Sequence, residues 1–340
     1  MSAVAADGHV VVEPVLDGLW RIEMAVAEAG LAAVCCYALA EGDGLVLVDA
    51  GWSTPQTRAG TEAGLERIGF GLDQVKGVLL THAHPDHYGL AGALHERGAW
   101  LALHRGDRDL LAFGSDSFYR YLESWRGWLR DFAGVPAGEL EPQIEATVGI
   151  RRVFEVPPPD IVFEGGWRAP TADWDLTAVH TPGHSPGHVC FVEPARDLLF
   201  CGDHVLPEIT PNISAGPTVP PNPLGEYLAA LELVRGLPAA PALPGHGGPF
   251  TDLPGRVAAI AAHHEERLGL VLAILDQAPA TAWEVTTRYR WARPMEQMSG
   301  LTRRSAVCEI AAHLIALRER GAVRAGDEVP PTWSRAGGGR

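Results

Sequence analysis

The most constraining feature of the sequence is the segment 81–89, which reads THAHPDHYG and follows a short apolar run. An apolar run that ends in imidazoles and a carboxylate is typical of a buried strand that delivers metal ligands to a loop. His82 and His84 are two residues apart, so in extended backbone both imidazoles point to the same side and can share one ion. The proline after them bends the chain and lets Asp86 and His87 address a second ion. The segment therefore predicts a site for two metals.

Three later segments have the composition of further ligand loops. Residues 180–188 read HTPGHSPGH, and their glycines leave room for a tight loop. Residues 200–204 read FCGDH, which places the aspartate at a strand end, and residues 243–248 read LPGHGG. Each segment alone is a weak signal, because histidines flanked by glycine or proline are common in turns. Together, and in this order, they predict three further metal ligands: His184, Asp203 and His246.

With these segments the chain resembles the metallo-β-lactamase superfamily, in which an H-x-H-x-D-H pattern is followed by a separated His, Asp and His. The resemblance covers about residues 10–250. It implies two divalent metal ions, with Zn²⁺ as the first choice and Fe or Mn as alternatives, since histidine and aspartate suit all three. Carried over position by position, it assigns His82, His84 and His184 to one metal, Asp86, His87 and His246 to the other, and Asp203 to a bridge between them.

Other polar residues are predicted to support or adjoin this site. Asp49, in the segment VDAG, matches the early Asp-x-Gly of the superfamily. Its carboxylate is expected to hydrogen-bond a ligand histidine and fix the tautomer, with a plain turn aspartate as the alternative. His188 has a similar supporting role. His204 is a candidate for contact with substrate, although a structural role fits its position equally well.

Composition bounds what the chain can be. The chain has 340 residues, of which 46% are hydrophobic, enough for a substantial core and for two domains. The formal net charge is −15, and the acidic excess lies before residue 251, which argues against nucleic acid as the ligand of that part. The sequence has no basic leader and no run of about 18 apolar residues. The five cysteines lack C-x-x-C spacing. Taken together, these features of the sequence predict a cytoplasmic protein that does not span a membrane.

Hydrophobic periodicity predicts the fold class. Short strand-like runs between residues 10 and 48 precede a helix at about 55–68, a strand at 75–80 and a helix at about 88–97. Strands interleaved with helices indicate an α/β protein. The resemblance makes it the αββα sandwich of the superfamily.

Two domains are predicted. Residues 1–250 form the catalytic domain, with a helical insertion at about 105–150, and residues 251–340 form a small, mainly helical domain. In the second domain, Thr281 and Glu284 make a T-x-x-E capping box, and a small β-wing is predicted at 322–329. This domain resembles the winged-helix-like domain of the β-lactamase-like protein 2 branch.

The insertion contains an amphipathic stretch at 115–133. Tyr121, Trp125 and Trp128 recur there at helical spacing, with charged residues between them. The stretch predicts either a helix packed on the core or a lid over the metal site. As a lid, its aromatic face would contact an apolar part of the substrate.

Three functions are compatible with these residues. The first, implied by the resemblance to glyoxalase II, lactonases and thioesterases, is hydrolysis of an ester, thioester or lactone carbonyl by a metal-bridging hydroxide. Asp86 and Asp203 would then be the catalytic carboxylates. The second is an endoribonuclease of the β-lactamase-like protein 2 type. The third is a nucleic-acid or protein-binding module with structural metals.

We expect the first function. Seven ligands exceed the roughly four that a closed structural site needs, and the acidic charge disfavours RNA. The expected partner is a small-molecule or carrier-bound acyl substrate with an apolar or aromatic portion, without nucleic acid or membrane. A homodimer is left open.

Overall fold

Two β-sheets form the inner layers of the fold. In the first, strands β1 to β4 are antiparallel neighbours and β4 to β7 run parallel. In the second, the spatial order is β11, β10, β9, β8, and only the β10–β11 pair is parallel. The strands are β1 Val10–Leu16, β2 Leu19–Ala25, β3 Ala33–Glu41, β4 Gly44–Val48, β5 Val75–Leu79, β6 Trp100–His104, β7 Ile161–Phe163, β8 Thr177–His180, β9 Val189–Glu193, β10 Leu198–Gly202 and β11 Ala242–Pro244.

Helices cover the outer faces of both sheets, and the described part of the chain also contains three short 3₁₀ turns. The helices are α1 Pro55–Arg67, α2 Pro85–Tyr88, α3 Ala91–His95, α4 Arg105–Arg108, α5 Ser115–Asp131, α6 Ala137–Val153, α7 Pro223–Arg235, α8 Leu253–Leu275, α9 Ala282–Arg288 and α10 Gly300–Glu319. A third, two-stranded antiparallel sheet consists of β12 Val323–Ala325 and β13 Trp333–Arg335.

The computed structural model describes residues 10–25, 33–111, 115–153, 156–237 and 239–337. Residues 26–32, inside the predicted run of strands, and 112–114, inside the predicted insertion, lie outside the described part. Among the described helices, none is both long enough and apolar enough to cross a bilayer.

Strand β4 shows how the sequence builds the layers. All five of its residues are buried, and successive side chains point to opposite faces of the sheet. Val46 and Val48 pack between the two sheets in the same cluster as Phe200, whereas Leu47 packs in the outer cluster with Leu65 of α1. The result is a helix, sheet, sheet, helix sandwich, which confirms the predicted fold class.

The helix predicted at 88–97 is instead two short helices, α2 and α3. The amide of Leu90 donates to the carbonyl of Gly51 at 3.1 Å and so leaves the helical hydrogen-bond ladder. Gly89 makes this contact possible, because a Cβ there would lie 2.5 Å from the amide nitrogen of Ser53. The loop after β4 therefore interrupts the predicted helix.

The residues after 251 pack on the insertion and on the second sheet. One hydrophobic cluster contains Leu129 of α5, Leu199 of β10, Leu231 of α7, Val257 of α8 and Leu314 of α10. The independence of a domain at 251–340 stays a prediction, and the structure describes a core shared across that boundary.

Two predicted details of the C-terminal region can be checked. The capping box of α9 is confirmed, since Thr281 Oγ1 accepts from the Glu284 amide at 3.2 Å and Glu284 Oε2 accepts from the Thr281 amide at 2.8 Å. The predicted wing lies partly elsewhere, because its second strand is Trp333–Arg335 rather than a stretch before 329. Pro330 and Pro331 lie before that strand and lack the amide hydrogens that a ladder needs.

The shared cluster predicts that Leu314→Ala destabilises the whole chain. Leu314 is fully buried on α10, so its truncation should lower the free energy of unfolding by about 2–5 kcal/mol in a single transition. Leu270→Ala, at an exposed leucine on α8, should change it by less than about 0.5 kcal/mol. Denaturant unfolding followed by fluorescence and circular dichroism measures both. Two separate transitions, with only the second one shifted, would contradict the shared core.

Candidate metal centre

The predicted ligands converge at one edge of the sandwich, because each follows the end of a strand. His82, His84 and the pair Asp86 and His87 come after β5, and His184 lies in the loop between β8 and β9. Asp203 directly follows β10, and His246 follows β11. Strands from both sheets thus contribute to one site.

Two glycines allow these loops to approach each other closely. Gly202 has a φ of +47°, and a Cβ at this position would lie 2.7 Å from both Thr81 Oγ1 and His188 Nε2. A Cβ on Gly245 would lie 2.6 Å from Asp203 Oδ1. Real Cβ atoms do not tolerate such distances, so only glycine fits at these two positions.

The first ligand group consists of three imidazoles whose ring nitrogens face one another. His84 Nδ1 lies 3.0 Å from His82 Nε2 and 2.9 Å from His184 Nε2. His184 Nδ1 donates to the carbonyl of Asn212 at 3.0 Å. Because a neutral imidazole carries one N–H, this bond leaves a lone pair on His184 Nε2. Burial, followed by the effect of His84, lowers the pKa of His184 to about 4, so the ring is neutral at neutral pH.

The second ligand group combines two imidazoles with a carboxylate. Asp86 Oδ2 lies 3.4 Å from His246 Nε2 and 3.8 Å from His87 Nε2. His246 Nδ1 donates to the carbonyl of Ala33 at 2.7 Å, so its Nε2 also presents a lone pair when the ring is neutral. The two groups together contain six of the seven predicted ligands.

Asp203 lies between the two groups. Its Oδ2 is 3.6 Å from His184 Nε2 in the first group and 3.5 Å from His246 Nε2 in the second. Its Oδ1 is 3.4 Å from His87 Nε2. The structure therefore brings all seven residues together, with Asp203 in contact with both groups.

The donor set fits two divalent cations. Across the described residues, His87 Nε2, His246 Nε2 and Asp203 Oδ1 are buried without a hydrogen-bond partner. The separations of 3.4–3.6 Å around Asp203 are long for a hydrogen bond. They match the roughly 3.3–3.5 Å between donors that surround a tetrahedral metal at about 2.0–2.1 Å.

Charge supports the same conclusion. Burial alone would lower the pKa of His246, but the Asp203 and Asp86 carboxylates raise it to about 10. Burial opposes ionisation of Asp203, yet His87 and His246 hold its pKa well below the usual range. The buried carboxylates thus require positive charge beside them, which a metal ion supplies when the imidazoles are neutral.

Asp49 connects the two ligand groups through hydrogen bonds. Its Oδ2 accepts from His87 Nδ1 at 2.8 Å and from the Thr81 hydroxyl at 2.8 Å, while its Oδ1 accepts from the Thr81 amide at 2.8 Å. Thr81 Oγ1 in turn accepts from His82 Nδ1 at 3.0 Å, because its own hydrogen is used on Asp49. One buried carboxylate therefore orients a histidine of each group. Its φ of +60° is a left-handed conformation that aspartate tolerates better than most residues.

His188 holds the backbone of Asp203. Its Nδ1 lies 2.8 Å from Thr181 Oγ1, and its Nε2 accepts from the Asp203 amide at 3.1 Å. The ring is fully buried and belongs to neither ligand group. The supporting role of His188 stays a prediction, and the structure places its ring against the backbone of Asp203.

Asp107 is a residue that the sequence analysis missed. Its carboxylate accepts from the amide of Ala83 at 2.7 Å, the hydroxyl of Ser185 at 2.8 Å and the amide of Gly187 at 2.5 Å. It therefore ties the loop of His82 and His84 to the loop of His184. The segment RGDR around it is no different in composition from other charged loops, so no sequence signal could have singled it out.

A cleft of about 470 Å³ opens from the metal centre. His84, Asp86 and His184 line one end, and Tyr121 and Trp125 of α5 line a wall. Trp125 is only 7% exposed and also belongs to the large hydrophobic cluster. Helix α5 is therefore at once a core helix and a wall of the cleft, so the two predicted alternatives are not exclusive.

Two predicted substrate residues do not line this cleft. Trp128 is not among the lining residues, and its ring stacks on Phe132 with ring centres 5.1 Å apart. His204 is fully buried against Tyr227, with ring centres 5.0 Å apart. For His204 the buried position favours the structural role that the sequence left open, and for Trp128 the partly buried ring packs against the hydrophobic cluster rather than lining the cleft.

The ties made by Asp107 predict that Asp107→Asn weakens metal binding. The amide would present an N–H₂ to donors that need an acceptor, so the affinity for the metal held by His82, His84 and His184 should fall about 10- to 100-fold. Asp109→Asn, at an exposed position after the same short helix, is the matched control. Competition with a chromophoric chelator measures both affinities, and equal affinity in the two variants would show that Asp107 does not position the ligands.

Comparisons with known proteins agree with this geometry. Residues 29–246 match the family described as "Metallo-beta-lactamase superfamily". The crystal structure of a metallo-beta-lactamase family protein from Thermus thermophilus superposes with a TM-score of 0.80 at 32% identity, covering 95% of this chain and all of that one.

Curated relatives are more distant or match a shorter stretch. The probable metallo-hydrolase YqjP of Bacillus subtilis is 24% identical over 253 residues, which are 73% of this chain and 77% of that protein. The atrochrysone carboxyl ACP thioesterase AgnL7 of Paecilomyces divaricatus is 34% identical over 102 residues, about 30% of each chain. The first fungal relatives are likewise matched over only 28–31% of their own length. The family match over most of the chain and the structural agreement along nearly its whole length show that this protein belongs to the metallo-β-lactamase superfamily.

Proposed function

We propose that the protein is a metal-dependent hydrolase of acyl thioesters, with esters and lactones as chemically related substrates. The superfamily supports a metallo-hydrolase in general terms. The observation that carries the proposal is the position of both ligand groups at one end of a cleft with aromatic walls. This arrangement exposes a reactive carbonyl to the metal centre while the acyl portion lies against apolar side chains.

Proteins of this superfamily typically bind divalent metals, usually zinc. In the proposed holoenzyme, His82, His84 and His184 would hold one ion and Asp86, His87 and His246 the other, with Asp203 lying between the two groups. Bound there, the ions supply Lewis-acid stabilisation of the carbonyl oxygen and lower the pKa of water. Iron and manganese suit the same ligands, so the metal identity is part of what the experiment determines.

The protein's own groups divide the remaining work. Asp86 and Asp107 both line the cleft, but the Asp107 carboxylate already accepts three hydrogen bonds, so we place the proton transfer on Asp86. Asp203 does not line the cleft, and its two oxygens face His184 of the first group and His87 of the second. We assign Asp203 to holding the ligand groups in register and Asp86 to proton transfer. The overall reaction adds water across the thioester and yields a carboxylic acid and a thiol.

The walls of the cleft support an apolar acyl group. Phe118, Tyr121 and Trp125 come from α5, and Leu110 and Leu111 come from the turn that follows α4. Burial of such a group contributes roughly 25 cal/mol per Å² of apolar surface removed from water. Some relatives are named as acyl-carrier thioesterases, which favours a thioester, small or carrier-bound, over other carbonyl compounds.

RNA hydrolysis is the weaker alternative. A cleft that grips a phosphate backbone is expected to present several lysines or arginines. Among the described lining residues, Arg304 alone carries such a charge, and the chain as a whole has a net charge of −15. The structure offers no observation that favours this alternative or a binding module with structural metals.

The proposal predicts about two metal ions per chain and a decisive effect of Asp203→Ala. Purified protein, analysed by plasma mass spectrometry and assayed with acyl thioesters, esters, lactones and RNA, should hydrolyse the thioesters and lose this activity after chelation.

Asp203→Ala should lower the rate by more than the roughly 100-fold that loss of a supporting hydrogen bond costs. Glu208→Ala, at an exposed acid in the following loop, is the control. Full activity in the chelated protein or in Asp203→Ala would overturn the mechanism.

The aromatic wall predicts different effects for two tryptophans of one helix. Trp125→Ala should raise KM for a long acyl thioester about tenfold and also lower the free energy of unfolding by about 3–5 kcal/mol, because Trp125 both lines the cleft and is buried. Trp128→Ala should lower stability without changing KM, since Trp128 lies outside the cleft. Steady-state kinetics over a series of acyl lengths, with denaturant unfolding, tests both. An unchanged KM in Trp125→Ala would remove α5 from the substrate site.

A further inference from the structure

The C-terminal helix α10 forms one wall of the cleft, on the side of the insertion. Leu301, Arg304, Ser305 and Cys308 line the cleft. Their spacing of three, four and seven residues from the first places them on one face of the helix. The residues after 251 therefore contribute directly to the substrate cleft.

The position of this wall relative to the metal ligands is fixed by a loop. The amide of Ala215 donates to the carbonyl of Cys308 on α10 at 3.0 Å. Three residues earlier, the carbonyl of Asn212 accepts from His184 Nδ1 at 3.0 Å. A short stretch of chain thus joins α10 to a predicted metal ligand, which makes the cleft a continuous surface from the metal centre to the helix.

Arg304 brings a positive charge into this surface. Its guanidinium lies over the ring of Trp125, 5.0 Å from the ring centre. Among the described residues that line the cleft, it is the one lysine or arginine. Its field also reaches Tyr121: burial raises the pKa of that hydroxyl, and the charge of Arg304 opposes the rise.

The neighbouring arginine has a different role. Arg303 donates to Glu139 of α6 at 2.6 Å and to the carbonyl of Met295 at 3.0 Å, and it does not line the cleft. Arg303 therefore ties α10 to the insertion, whereas Arg304 faces the space where substrate would lie. The two residues form a matched pair for an experiment.

We infer that Arg304 binds a carboxylate at the end of the acyl chain remote from the thioester, so that the preferred substrates are half-thioesters of apolar or aromatic dicarboxylic acids. This inference rests on the proposed hydrolase function. A guanidinium is suited to the task because its planar donors pair with both oxygens of a carboxylate, and stacking on Trp125 orients it. The aromatic wall beside it points to the acyl portion rather than to the thiol portion. A phosphate on the thiol portion offers similar chemistry and is the alternative that the experiment must separate.

The test compares two series of N-acetylcysteamine thioesters, one with a terminal methyl and one with a terminal carboxylate, over acyl lengths of about six to twelve carbons to span a cleft of this size. The measured quantity is the ratio of kcat/KM for the carboxylate substrate to that for its methyl partner. In the wild-type holoenzyme, the ratio should exceed about ten at the best length, the effect of one charge-assisted pair. Arg304→Met should reduce the ratio to about one or below, and Arg304→Lys should restore part of it.

Arg303→Met controls for the loss of a positive charge on α10 and should leave the ratio unchanged. The inference is overturned if the ratio is near one in the wild-type protein at every length, or if kcat/KM falls equally for both substrates in Arg304→Met. The proposed function is then still supported as long as the methyl series is hydrolysed. A phosphopantetheine thioester with a neutral acyl group forms the third arm. If Arg304→Met impairs only this substrate, Arg304 binds the thiol portion and the inference is wrong.

If no thioester is hydrolysed, the proposed function fails and the inference is tested by binding. Calorimetry with the corresponding N-alkyl amides, with and without the terminal carboxylate, then measures affinity directly. Tighter binding of the carboxylate amide to the wild type than to Arg304→Met supports the inference. Equal binding to both proteins overturns it.

Discussion

The structure depends on the compensation of buried negative charge at one edge of the sandwich. Four loops from two sheets bring imidazole lone pairs and two carboxylates together in a buried space, with several of these atoms lacking a hydrogen-bond partner among the described residues. Such groups repel one another and are costly to bury unless a cation lies between them. Metal ions bound there would offset the cost of this arrangement, and under the proposed function the same ions would supply the chemistry.

Two aspartates that are not predicted ligands fix the positions of the ligand residues. Asp49 orients a histidine from each ligand group, and Asp107 joins the loop after β5 to the loop after β8. Each of these carboxylates is buried and accepts three or more hydrogen bonds, so its orientation is fixed. The positions of the ligands thus follow from contacts between loops of different sheets as well as from the conformation of each loop alone.

The difference between local conformation and contacts between distant loops explains how much of the site could be predicted from the sequence. His82 and His84 were recognisable because their spacing and the strand before them are local, and Asp49 was recognisable through its motif. Asp107 was missed because its role depends on contacts with Ser185 and Gly187, about 80 residues away in sequence. For His204 the sequence leaves open a contact with substrate or a structural role, and the packing of its ring on Tyr227, which the sequence does not reveal, favours the structural role.

The fold shows the same limit. The apolar run of β4 and the amphipathic pattern of α5 are local features, so the sequence predicts both elements. Helix α6 lies largely within the predicted helical insertion at about 105–150, but its bounds are not predicted, since Pro142 inside it is an unfavourable helix signal. The break between α2 and α3 depends on a contact with Gly51, and the contribution of α10 to the cleft depends on packing against the insertion. Neither is visible in the periodicity of one segment.

The central claim, that the converging groups are two adjoining metal sites, is tested most directly by anomalous diffraction from crystals of the zinc-loaded protein. Data collected on both sides of the zinc absorption edge should show two peaks per chain, one among His82, His84 and His184 and one among Asp86, His87 and His246. Asp203 should contact both. A single peak, or peaks away from these residues, would contradict the account.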